Sequence, residues 1–174
     1  FLAVIPLCLG IFSPLSGVAA DRFGPRIIMT TGLLLLVVGY VSLTTLDEQT
    51  TSLGIVLRLL PVGLGMGTFQ APNNSAIMGA VSPTQLGTAS GLVSLTRTLG
   101  QALGVALLGA LWVSRTLAAV ADTSMTDGVT AAPPAAQVAG LQDAVLAAAI
   151  LAGLALLLNL HLLVRSTPGE AQAS

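Results

Sequence analysis

The chain is divided into long runs that carry almost no charge, and few environments let such a sequence fold. Residues 1–20, Phe1 to Ala20, contain no Asp, Glu, Lys or Arg, and neither do residues 27–46, Ile27 to Leu46. Similar runs cover residues 53–81, 87–112 and 144–164, interrupted by only Arg58 and Arg97. At 1.5 Å per residue, about 20 apolar residues in a helix cross the ~30 Å hydrocarbon core of a bilayer. Only 7% of the residues are charged and the mean hydropathy is +0.93. A soluble domain carries roughly 25% charged residues, so this chain has too few to clothe a surface in water. The expectation is five transmembrane helices, with a cytoplasmic tail over 165–174 and the lipid bilayer as solvent.

Other classes are excluded on similar grounds. A net charge of −1, with six scattered cations that are all Arg, offers no patch for phosphates, so nucleic acid is not an expected partner. Cys8 is alone in an apolar run and His161 is the only histidine. They form neither a metal-ligand spacing nor a redox pair, so no metal and no cofactor is expected. His161, near the end of the last span, reads as structural. No nucleophile–base pair or phosphate loop points to an enzyme; Gly63, Gly65 and Gly67 lie within an apolar run and lack the strand that a nucleotide loop requires. The chain opens at Phe1 within an apolar run, without the basic region of a signal peptide, and reads as part of something longer.

Arginine placement sets the expected orientation. Successive short connections alternate sides, so Arg22, Arg26 and Arg165 share one side, opposite Asp47, Glu48, Asp122, Asp127 and Arg115. Cationic loops stay cytoplasmic, which puts the 21–26 turn, the Ser82 turn and the C-terminus inside. Tyr40 and Trp112 then fall near the outer interface, as does Asp143, read as solvated. Prolines 6 and 14 are expected to kink the first helix and Pro61 and Pro72 to interrupt the third. Residues 113–142 read as a polar connection.

Three groups of residues stand out. In the first, Gly17 is placed for close helix approach, Asp21 for the dipole of a neighbouring helix or an Arg, and Gly24-Pro25 for a tight reversal, with Arg22 and Arg26 alongside. In the second, Gly63, Met66, Gly67, Gln70, Asn73 and Asn74 fall on one helical face. Amides are costly in hydrocarbon, so this face points to another helix or a cavity. Either a discontinuous helix lining a substrate path or amide bonding between packed helices satisfies it, and Met66 fits the latter better. Asn73-Asn74-Ser75 spells a glycosylation sequon, but within a span it carries no weight. In the third, Ser90, Ser94, Arg97 and Gln101 form a stripe, with Arg97 deep enough to need an acceptor or a wet cavity. Beside it, Thr96, Gly100 and Gly104 make a small-residue ridge for helix packing. Arg58 lies nearer the outer end and is expected to reach outward.

The run Gly17-Val18-Ala19-Ala20-Asp21-Arg22-Phe23-Gly24-Pro25-Arg26 resembles the inter-helix signature of the major facilitator superfamily, with Pro25 where a basic or polar residue is common. The resemblance implies that Asp21 and the arginines hold a cytoplasmic gate. The runs Gly65–Ser75, Gly87–Gly91 and Thr96–Gly104 look like the end of fourteen-span drug:proton antiporters of the EmrB/QacA type. That resemblance implies an all-α membrane fold, the five helices being part of the C-terminal six-helix bundle. It also implies efflux of amphipathic, often cationic small molecules, driven by a proton gradient across the cell membrane. The partner would be the N-terminal transmembrane half, without which five helices neither bind tightly nor transport. No carboxylate lies well inside a span, so on this reading the proton-titrating group belongs to that other half. A metabolite uniporter or importer of the same fold, or a non-transporting membrane fragment, are the alternatives.

Overall fold

The computed structural model describes residues 3–47, 49–120 and 129–165, except the side chains of 131 and 163–165. Glu48, Asp122, Asp127 and the tail beyond Arg165 lie outside the described residues, as does the Arg165 side chain. Five long helices make up the molecule: α1 (Val4–Phe23), α2 (Pro25–Leu43), α3 (Ser52–Gly79), α4 (Leu86–Ala119) and α5 (Pro134–Arg165). Each is long and apolar enough to cross a membrane.

The helix ends follow from local chemistry. Gly24, at φ +89°, closes α1 with its N–H on Ala20 O at 2.9 Å. Pro25 then opens α2, where a missing N–H costs nothing and the fixed φ suits the first turn. A Cβ at residue 24 would be strained in that backbone. Thr51 caps α3 by accepting the Gly54 N–H at 3.2 Å.

Two expectations are corrected. First, α3 is continuous through Pro61 and Pro72; each proline removes one intrahelical bond, and the surrounding turns keep theirs. Second, the polar connection is shorter than residues 113–142. Helix α4 continues to Ala119 and α5 begins at Pro134. Both extensions are rich in alanine, the best helix former, and helical propensity does not stop where hydropathy falls.

Helix α3 packs closely on both α1 and α2, α5 covers the other side of α2, and α4 lies along α5 while touching α3 lightly. Missing side chains permit the tightest approach. A Cβ at Gly65 would stand 2.7 Å from Leu36 N, and one at Gly32 would stand 2.7 Å from Phe69 N, so α2 and α3 meet backbone to backbone. On α1, the buried Ser16 hydroxyl lies 3.0 Å from Gly67 O and 2.8 Å from Ser13 O. The α4–α5 contact is anchored near one end. Trp112 donates Nε1–H to Gln137 O at 3.1 Å, and fully buried Thr116 lies against Gly140. Leu7, Ile11, Leu15 and Val18 form an exposed apolar stripe along α1, a surface suited to lipid or further protein and not to water.

Candidate polar cleft between α3 and α4

The second and third residue groups meet where α3 and α4 diverge. Arg97 Nη2 donates to Asn74 Oδ1 at 3.3 Å. Side chains on a helix lean toward its N-terminus, so Arg97, about 17 Å along α4 from its start, reaches back toward Asn74, which lies near the end of α3. This partly relieves the depth at which its charge was expected to sit.

Two open-sided cavities flank that contact. One, about 350 Å³, is lined by Asn73, Asn74, Ile77, Leu92, Val93, Thr96 and Arg97. The other, about 250 Å³, is lined by Leu36, Tyr40, Met66, Phe69, Gln70, Asn73 and Arg97. Asn73 and Arg97 border both. The guanidinium, three amides and the Tyr40 phenol therefore share one cleft with apolar walls, and among the described residues the guanidinium is the only formal charge lining either cavity.

The expected single face of α3 is divided. Gly63 and Gly67 turn to α1, where a Cβ would meet the Cys8 and Phe12 side chains, while Gln70, Asn73 and Asn74 open to the cleft. Met66, expected between helices, lines the cleft as well. On α4 the stripe is also divided, since Ser94 and Gln101 are exposed and border neither cavity. The face toward α3 runs through Val93, Thr96 and Arg97. Thr96 was grouped with a packing ridge, yet nothing lies within 4 Å of a Cβ at Gly100 or Gly104. Among the described residues that ridge has no partner helix. Sequence reasoning also missed Leu36, Tyr40 and Phe69. Tyr40 was assigned to the membrane interface, and periodicity within α2 holds no sign that it lines a cavity with Gln70 and Asn73 of α3.

The first residue group forms the α1–α2 turn. Asp21, Arg22 and Arg26 are exposed, and the Arg22 guanidinium sits 5.7 Å from the Phe23 ring centroid. Among the described residues nothing comes within 4 Å of a Cβ at Gly17, so the close approach expected there is not made. Among the described residues Asp21 makes no ion pair with an Arg. At the opposite end, Arg58 donates Nε–H to Thr45 Oγ1 at 3.1 Å. Asp143, read as merely solvated, pairs with Arg115 at 3.5 Å. Gln142 Nε2 donates to Leu46 O at 2.5 Å, tying α5 to the turn after α2.

The sequence profile of the Major Facilitator Superfamily matches residues 1–174. The chain belongs to this superfamily. It is thus a multi-pass membrane protein of a transporter family. As a major facilitator chain it is similar to the puromycin resistance protein pur8 of Streptomyces alboniger, 33% identical over 136 residues, which are 74% of this chain and 27% of the relative. It is similar to the multidrug resistance protein Stp of Mycobacterium tuberculosis, 31% identical over 133 residues, 74% of this chain and 25% of that one. It is also similar to the riboflavin transporter RibZ of Clostridioides difficile, 28% identical over 111 residues, 64% and 24% respectively. The chain spans about a quarter of the length of these curated relatives. No solved structure matched.

Proposed function

We propose that this major facilitator chain is part of a proton-coupled efflux carrier that moves small amphipathic compounds across the plasma membrane by alternating access. The cleft carries the reading. Costly polar groups are gathered within a bundle whose outer surface is apolar, and a cavity with apolar walls and a few polar groups suits small molecules. The relatives named for multidrug and puromycin resistance support efflux. The motif resemblance supports placement among the last five of fourteen spans. In this reading Gln70, Asn73, Asn74 and Arg97 belong to the substrate path, with Ser94 and Gln101 facing the remainder of the carrier. Gly17, Asp21, Arg22, Gly24 and Arg26 form half of a cytoplasmic gate whose counterpart lies elsewhere in the full protein. Among the described residues, Asp21 lies near the end of α1 and Asp47 in the turn after α2, while Asp143 lies within α5, paired with Arg115 and next to Gln142, which reaches that same turn; on this reading the proton-titrating group belongs to the rest of the carrier. The riboflavin transporter among the relatives favours, as a second reading, a metabolite carrier of the same fold.

The test uses the full-length carrier in an efflux-deficient bacterial host, with a panel of amphipathic dyes of negative, zero and positive charge. Expression is expected to lower the accumulation of some dyes, and a protonophore is expected to abolish that effect. Unchanged accumulation across the panel would remove the efflux reading. Efflux that survives the protonophore would remove proton coupling alone.

A further inference from the structure

The cleft has a chemical preference that the family resemblance does not supply. A guanidinium carries five N–H donors in a rigid fork. Among the described residues Arg97 uses one, in a 3.3 Å bond to the neutral oxygen of Asn74. Among the described residues no carboxylate borders either cavity, so no anion among them offsets this charge. A cation entering here would meet a like charge in surroundings of low dielectric, where repulsion is strong. An acid would meet paired donors matched to two oxygens, the strongest form of hydrogen bond that a side chain offers. Leu36, Met66 and Phe69 supply an apolar wall on one side of Arg97, and Ile77 and Leu92 supply one on the other. The larger space, about 350 Å³, falls within the roughly 300–1,000 Å³ of small-molecule sites, and the smaller, about 250 Å³, lies just below it.

Building on the transport reading above, we propose that the cleft selects amphipathic compounds with a singly anionic head, whose oxygens rest on Arg97 and whose apolar body lies against Phe69 and Met66. Asn73, which borders both spaces, donates or accepts beside the head. This differs from the often cationic cargo that the resemblance to drug:proton antiporters implies. A membrane lipid with an anionic headgroup carries the same chemistry, so the experiment must separate a free acid from lipid.

Three probes sharing one body serve: 4-hexylbenzoic acid, 4-hexylbenzamide and 4-hexylbenzylamine. Binding to the purified full-length carrier is measured in nanodiscs of zwitterionic lipid at pH 7.5, where the acid is ionised and the amine protonated. The acid is expected to bind about tenfold or more tighter than the amide, and the amine weakest. In Arg97→Gln the acid is expected to lose that advantage while amide binding stays within about twofold, which also reports a folded site. The probe series on the wild-type carrier stands without any variant, should Arg97→Gln fail to fold. Equal binding of acid and amide, or tighter binding of the amine, overturns the proposal. So does an acid preference that survives Arg97→Gln. Repeating the series in phosphatidylglycerol nanodiscs separates the two sources. Retained preference supports a free acid, whereas its disappearance there makes lipid the occupant and overturns the proposal. Efflux of cationic dyes by a carrier with no acid preference would sink this proposal and leave the transport reading intact. An acid preference in binding, without efflux of any dye, would do the reverse.

Discussion

At the scale of single residues, placement matters more than type. Asp21 and Asp143 are both helical carboxylates, the first near the end of α1 and the second within α5. Asp143 pairs with Arg115 across α4 and α5, with both groups well exposed, so Asp143→Asn is expected to cost under about 1 kcal/mol in thermal unfolding. Asp21 meets no Arg among the described residues, which fits a charge reserved for a partner elsewhere in the carrier. Asp21→Asn is therefore expected to reduce transport by the full-length protein severalfold at unchanged membrane abundance; normal flux would argue against a gating role. Thr116 shows the opposite balance. Its Oγ1 is fully buried without a hydrogen-bond partner among the described residues, a placement that costs about 1–3 kcal/mol for an unsatisfied group. Thr116→Val is expected to be neutral or to stabilise by about 1 kcal/mol, read as a higher melting temperature. A clear loss of stability would show that the hydroxyl is bonded in the membrane.

At the scale of helices, small residues set which pairs touch. The α2–α3 seam depends on Gly32 and Gly65, each facing backbone of the other helix. Gly65→Leu must push α3 off α2, and overpacking of this kind costs about 1–3 kcal/mol. The expected result is a lower melting temperature together with altered flux, because Phe69 and Gln70 move with α3. An unchanged melting temperature would mean that the seam is looser than described. The sequence announced these helices plainly, since runs of about twenty apolar residues are their own signature. It misjudged their ends at Ala119 and Pro134, because hydropathy marks what lipid accepts while alanine extends a helix beyond it. The helical wheel also grouped Gly63 and Gly67 with Gln70 and Asn73. A wheel gives direction around one axis and cannot say that two neighbours, α1 and α4, divide the sector.

At the scale of the whole molecule, α3 packs on α1 and α2, α5 joins α2 to α4, and α4 touches α3 only lightly. That separation creates the cleft. Orientation is tested most directly here. In a full-length carrier with Cys8→Ser, Arg22→Cys is expected to react with an impermeant maleimide only from the cytoplasmic side and Asp47→Cys only from outside. The reverse pattern would invert the proposed topology. The sequence alone determined that the chain crosses a membrane several times, because too few charges remain to face water. It also exposed the amides and the guanidinium as residues that cannot face acyl chains. Only the tertiary structure decided that Asn74 and Arg97 meet, that Tyr40 and Phe69 join them, and that Ser94 and Gln101 do not. Burial cost is a property of each residue, whereas contact depends on how α3 and α4 diverge, and periodicity within a single helix contains no information about that.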